Sequence, residues 1–272
     1  MTSSLGTPTN RFDTEVLGLH WIPLSASDED TAAVLRERLG IDFTRTTDRI
    51  WETGDFVYLP VAATYLRGDA VRRETIVFAL GGDFVVTSQS AEPFAPFDRA
   101  VAEMGRRPAL AGSPHGVLYA LLRSLNEAAE GVLGRARSGL ESLAREMAAA
   151  VDGDRAHEVA DLRAAVADLD AAEEAVTMVR DTQRDLARAT RRLLAEYGDR
   201  AEELSGAIGH LLADIEDVRQ RAVAEHDRAR YLQQALLIRL ELRQSRTVKV
   251  LAVSAALLSI ALLALCYLVA LA

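Results

Sequence analysis

Five histidines, His20, His115, His157, His210 and His226, are the side chains best suited to ligate a transition metal, and no two stand at metal-ligand spacing. Carboxylates cluster at Glu173-Glu174, Glu202-Glu203 and Asp214-Glu216-Asp217. On helices, such clusters read as solvated faces. Gly81-Gly82 signals a turn, because neither a GxxxxGK[ST] nor a GxGxxG phosphate loop is present. The single cysteine, Cys266, lies in an apolar run and provides neither an internal disulfide nor a cysteine-based metal site. No set of side chains supports catalysis, so the chain is expected not to be an enzyme and to carry no cofactor. A net charge of −9 argues against nucleic acid, whose phosphates call for a basic surface. The acidic excess would suit divalent cations, but a solvated surface explains it as well.

The elements that would position these groups are easiest to read from the C-terminal end. Val250 to Ala272 contains no charged residue. As a helix rising about 1.5 Å per residue, such a run is long enough for a bilayer core of roughly 30 Å. A single transmembrane helix is therefore expected over 248–272. Arg239, Arg243, Arg246 and Lys249 precede it and no basic residue follows. The positive-inside rule then predicts an inner (plasma) membrane protein with a cytoplasmic N-terminus and an extracytoplasmic C-terminus. Ser245, Val248, Ala252, Ala255, Ser259, Leu263 and Cys266 recur at helical spacing as a face of mostly small residues. Such a face permits close helix packing in lipid or lines a narrow pore.

Ahead of that run, residues 1–13 read as a disordered tail and 14–110 as a cytoplasmic α/β or α+β domain. Within it, 16–22 suggests a strand and Asp30 to Leu39 a short helix ended by Gly40. FVYLPVAATYL, TIVFAL and FVVTS read as strands separated by turns at Gly68-Asp69 and Gly81-Gly82-Asp83. Pro60 argues that the first of these lies at an edge or a bulge. Phe97 to Met104 reads as a helix on the sheet. Residues 111–247 read as a long-helix bundle or coiled stalk. One helix carries Val117, Leu118, Leu121, Leu125, Ala128 and Val132 on a stripe, and a second carries Val159, Leu162, Val166, Leu169, Val176, Val179, Leu186 and Leu193. From Arg200 a last helix runs to the chain end with its stripe broken once, at Glu225. A helix of that length needs neighbours, and two companions are expected to cover only part of it, which argues for an oligomer.

DFVYLPVAATYL, TIVFALGGDFVVTSQ, SPHGVLYALLRSLNEAAEGVLGRARSGLESLAREM, TMVRDTQRDLARATRRLL and the helix entering at DIEDVRQRAVAEHDRARYLQQALLIRLELRQSRTVKVLAV occur in an order that resembles the CorA-type divalent cation transporters. The resemblance covers about 15–272. It implies a cytoplasmic α/β domain, a long-helix bundle, a homo-oligomer (a pentamer), and Mg²⁺ or Co²⁺ as transported or regulatory ion. Ungapped projection places His210 at one of the family's acidic cation-sensing positions, with Asp214 a turn later.

The departures are specific. The family enters the membrane with Asn-x-x-Met-Lys-x-Leu-Thr, where this chain has Ser245-Arg246-Thr247-Val248-Lys249-Val250-Leu251-Ala252. The family's in-span proline falls at Ile260, and its Gly-Met-Asn falls at Val269, Ala270 and Leu271. Apolar side chains there cannot substitute for the water around Mg²⁺. The expectation is a degenerate or truncated transporter homologue with weak or no transport alone, or one working with a full-length relative. The alternative is a tail-anchored coiled-coil adaptor or regulatory subunit that binds a protein partner.

Overall fold

The computed structural model describes residues 20–45, 47–89, 94–149, 158–197 and 202–271, with the side chains of 149, 158–162, 202 and, apart from Ser254, 239–271 outside that description. The N-terminal part is α/β. Strands β1 (Trp21–Ser25), β2 (Trp51–Thr53), β3 (Phe56–Arg67), β4 (Ala70–Gly81) and β5 (Phe84–Gln89) form one sheet in the order β1-β5-β4-β3-β2. β1 runs parallel to β5 and the other pairs are antiparallel.

Three two-residue turns of the same composition build the meander: Gly54-Asp55, Gly68-Asp69 and Gly82-Asp83. Their glycines have φ of +60°, +59° and +55°, and no non-glycine residue among those described has positive φ. A positive φ at the first turn position alone is type II′ geometry, whose twist matches that of the flanking strands. Only glycine adopts it without strain.

Helix α1 (Glu29–Leu39) covers one face of the sheet. Asp28 caps it by accepting the Thr31 backbone N–H at 3.0 Å, and this bond holds the Asp28 carboxyl below its ordinary pKa. It ends as the sequence predicts, at Gly40. The Gly40 N–H reaches Arg36 O at 3.1 Å, the single 5→1 bond of an αL cap, and the Ile41 N–H reaches back to Leu35 O at 3.3 Å. Leu35 and Ile41 then pack with Leu24, Trp51, Tyr58 and Val86.

The other face carries Trp21, Leu59, Val61, Phe78 and Val85 and meets helix α2 (Ala95–Arg106) and helix α4 (Pro114–Ala149). A four-residue turn of helix, α3 (Pro108–Ala111), precedes α4. It approaches so closely that a Cβ on Gly116 would lie 2.3 Å from the Leu110 carbonyl oxygen. Glycine is required there by packing.

Helices α4, α5 (Glu158–Tyr197) and α6 (Glu202–Leu271) make the C-terminal bundle. Their stripes interlock as apolar layers: Leu121 and Leu125 with Leu186 and Ile215, then Val132 with Val176, Val179 and Val218, then Leu140 and Leu143 with Leu169, Leu232 and Leu236. Val166, placed on the stripe by its spacing, is instead exposed. Val159 and Leu162 lie outside the described side chains, as does the sequence break at Asp152-Gly153-Asp154.

Two expectations are corrected here. The first is the membrane span over 248–272. Among the described residues no helix is long and apolar enough to cross a membrane. The described part of α6 is amphipathic: a narrow stripe faces α4 and α5, while Glu216 pairs with Arg219 on an exposed side and Arg221 pairs with Asp217 and with Glu130 of α4. The expectation rested on the uncharged run after Val250, whose side chains, Ser254 excepted, lie outside the description. The transmembrane helix, the single-pass inner-membrane location with its assigned termini, the bilayer as partner and the transporter reading are withdrawn together.

The second correction concerns the oligomer. The α6 stripe from Ile208 to Leu236 is buried within the chain by α4 and α5. Uncovered apolar surface along that stripe therefore gives no reason for a homo-oligomer or pentamer.

Candidate functional site

The bundle is fastened to the sheet by one stretch of α5. β2 pairs with β3 only over Phe56 to Tyr58, and beyond Tyr58 no described strand lies on that side of β3. α5 takes the strand's place. Asp185 Oδ2 accepts the Ala62 backbone N–H at 3.1 Å, and the Thr182 hydroxyl donates to the Ala62 carbonyl oxygen at 2.6 Å. Two side chains three residues apart on a helix thus satisfy both backbone groups of one strand residue, as a neighbouring strand would. The Thr64 hydroxyl, 2.8 Å from that of Thr182, extends the contact. Pro60 turns its edge to the same side as Ala62, so its missing N–H leaves no bond unmade there.

Charged side chains secure the seam on both sides. Arg188 binds Asp185 at 2.6 Å and the Asp48 carbonyl oxygen at 2.8 Å. Arg192 reaches Glu52 at 2.6 Å and also pairs with Glu196, while Arg73 of β4 pairs with Asp181 at 3.2 Å. A displacement of α5 therefore strains the sheet directly. Sequence reasoning missed this site. Its signal is Thr182-Gln183, a polar pair between Val179 and Leu186 where the stripe calls for apolar side chains.

Gln183 is wholly buried, and neither its amide nitrogen nor its oxygen finds a hydrogen-bond partner among the described residues. Glu225, the predicted interruption of the α6 stripe, is mostly buried and lies 3.7 Å from Arg137 and 3.9 Å from Arg228. Those arginines bridge α4 and α6, as does Arg221, which pairs with Glu130 at 2.8 Å. Beside Asp217, Glu216 takes two bonds from Arg219, at 2.6 and 2.8 Å. The Arg219 bonds, followed by one from Gln220, lower its pKa to about 2.

His210 and Asp214 stand one turn apart on the exposed side of α6. Among the described residues no group of three or more His, Cys, Asp or Glu is arranged to hold a metal ion. The small-residue face (Ser245, Val248, Ala252, Ala255, Ser259, Leu263, Cys266) and the basic flank (Arg239, Arg243, Arg246, Lys249) fall on a helical backbone whose side chains lie outside the description. The structure thus brings none of the sequence-predicted site residues together with a third ligand.

Near the last described side chains of α6, three large apolar residues face outward. Tyr231 is 69 % exposed, and Leu237 and Ile238 are each 58 % exposed. Tyr231 and Ile238, seven residues apart, share one face, and Leu237 flanks it.

The family model described as "CorA-like Mg2+ transporter protein" matches residues 17–263. Among solved structures, the chain is similar to the complete CorA magnesium transporter of Methanocaldococcus jannaschii, with 13% identity, 85% of this chain and 73% of that chain covered, and a TM-score of 0.67. The full-length CmaX protein gives 15% identity, 85% and 71% coverage, and 0.65. The ZntB cytoplasmic domain of Vibrio parahaemolyticus gives 12% identity, 81% and 87% coverage, and 0.60. At these identities the structures establish the fold alone. No curated protein matches the chain.

Proposed function

Because the chain belongs to the family of CorA-like Mg²⁺ transporter proteins, we propose that it serves as a regulatory or adaptor subunit of that fold, one that binds a protein partner through the bundle. The observation that carries this reading is the outward apolar face of α6 at Tyr231, Leu237 and Ile238. Full burial of a large apolar side chain is worth about 1.5–3 kcal/mol, so seating these half-exposed residues on a partner supplies several kcal/mol in total. The seam at Thr182 and Asp185 supports a regulatory role, since it couples the position of α5 in the bundle to the sheet.

A photo-crosslinking residue placed at 231 or 237 tests the reading, with exposed Arg163 on α5 as control position. The expected result is a discrete adduct from 231 and 237 and none from 163. The crosslinked partner, once purified, should bind the native chain at least tenfold more tightly than the Tyr231→Ala/Ile238→Ala variant, a factor of about 1.4 kcal/mol. Equal binding by the variant, or no adduct at either position, would refute it.

A further inference from the structure

Between α4 and α5 lies a groove of about 570 Å³, lined at one end by Asp69 and Val71 of the β3–β4 hairpin tip. Its floor is small and apolar: Ala136, Gly139 and Leu143 of α4 face Ala172 and Ala175 of α5. A Cβ added at Gly139 would meet nothing within 4 Å. A glycine inside a helix costs roughly 0.5–1 kcal/mol relative to alanine. Nothing packed within the chain requires its missing side chain.

The rim is charged and uneven. At the hairpin end Arg135 is paired with Asp69 at 2.8 Å, so these two neutralise each other. Glu146, Asp168 and Glu174 also line the groove. Among the described residues Glu146 accepts a neutral bond, from Ser142 at 3.0 Å, and forms no ion pair. Asp168 and Glu174 form no ion pair among the described residues, so three carboxylates border an apolar floor without a cation.

We propose that this groove docks a helix of a partner protein whose small or aliphatic side chains lie on the Ala136–Gly139–Ala172–Ala175 floor and whose lysines or arginines meet Glu146, Asp168 and Glu174. The charge balance selects a basic helix over an acidic one. The floor's small side chains let a helical backbone come close, and from Asp168 to Met178 the groove extends about 15 Å, or roughly three helical turns. This surface lies on α4 and α5, apart from Tyr231 and Ile238 on α6, and does not depend on them.

The test uses the full chain and two labelled 18-residue peptides, followed by fluorescence anisotropy at physiological salt. One peptide has leucine and alanine on one helical face and lysines on the other; the second has the same composition with the apolar residues scattered. The patterned peptide should bind at least tenfold more tightly than the scattered one. Gly139→Leu, which fills the groove, and the triple variant Glu146→Lys/Asp168→Lys/Glu174→Lys should each weaken it at least tenfold while leaving the thermal melting curve in place. Should either variant melt early, Gly139→Ser and Asp168→Asn/Glu174→Gln, smaller changes at the same places, must weaken binding measurably. Tyr231→Ala/Ile238→Ala should bind the peptide like the native chain. Equal binding of the two peptides, no binding of the patterned one, or full binding to the filled groove overturns the proposal.

Discussion

Replacing Asp185 by alanine removes the acceptor of the Ala62 N–H and the partner of Arg188 in one step. The strand loses a bond to a charged acceptor, worth about 1.5–3 kcal/mol, and its N–H stays buried between β3 and α5 with nothing to replace the carboxylate. The Arg188 pair adds less than about 1 kcal/mol, because a third of that arginine side chain remains exposed. The sum is about 1.5–4 kcal/mol. For a protein of this size each kcal/mol corresponds to about 2–4 °C, so the midpoint should fall by roughly 3–16 °C. Asp185→Asn keeps an acceptor for Ala62 and loses only charge, so it should cost about 1 kcal/mol. Denaturant unfolding gives the free energies, and amide hydrogen exchange gives the location: Ala62 should lose protection in Asp185→Ala and keep most of it in Asp185→Asn. If the alanine variant is within 0.5 kcal/mol of native and Ala62 stays protected, α5 is not what holds the edge of β3.

Gln183→Met, nearly isosteric, should raise stability by about 1–3 kcal/mol, because it removes two buried polar atoms without partners; a loss on denaturant unfolding would show that the amide is satisfied. Gly116→Ala should destabilise by about 1–3 kcal/mol despite alanine's better helix propensity, since its Cβ would collide with the Leu110 carbonyl oxygen; a neutral result on the same assay would mean that α3 yields freely. The Glu216 carboxyl, followed by NMR, should titrate with a midpoint of about 2 in the native chain and return toward its ordinary value of 4.5 in Arg219→Ala. Because its folded pKa is lowered, the stabilising contribution is present above about pH 4.5 and is lost as pH falls toward 2; a midpoint unaltered by the substitution would contradict the assignment.

Local chemistry was legible wherever it is decided by a few adjacent residues. Gly40 ends α1, Gly68-Asp69 and Gly82-Asp83 turn the strands, and the stripes of α4 and α6 bury the residues their spacing selects. The third Gly-Asp turn was missed, because Trp51 to Thr53 is too short a strand to show alternation. Pro60 was read correctly as an edge signal, but what covers that edge comes from Thr182 and Asp185, some 120 residues on. A single sequence gives no register between a strand and a distant helix. The groove was illegible for the same reason: Gly139 and Ala172 look like ordinary helix positions until the packing of α4 against α5 brings them to one groove. The membrane expectation failed differently. It rests on the uncharged run after Val250, whose side chains, Ser254 excepted, lie outside the described structure, whereas the described part of the same helix is amphipathic.

The three identical turns also set an order of events during synthesis. Hairpins closed by two residues form in about 1–10 μs, so the β2 to β5 meander can pair as soon as it clears the ribosome. Thr182 and Asp185 clear it about 95 residues later, an interval of roughly 5–20 s at ordinary elongation rates. Throughout it, β3 presents an unpaired edge, the kind of surface on which nascent chains associate wrongly. Pro60 lies on that edge, and a strand that cannot donate a hydrogen bond at this position is a poor template for another chain. The residue that leaves no bond unmade in the finished protein thus guards the edge until α5 arrives.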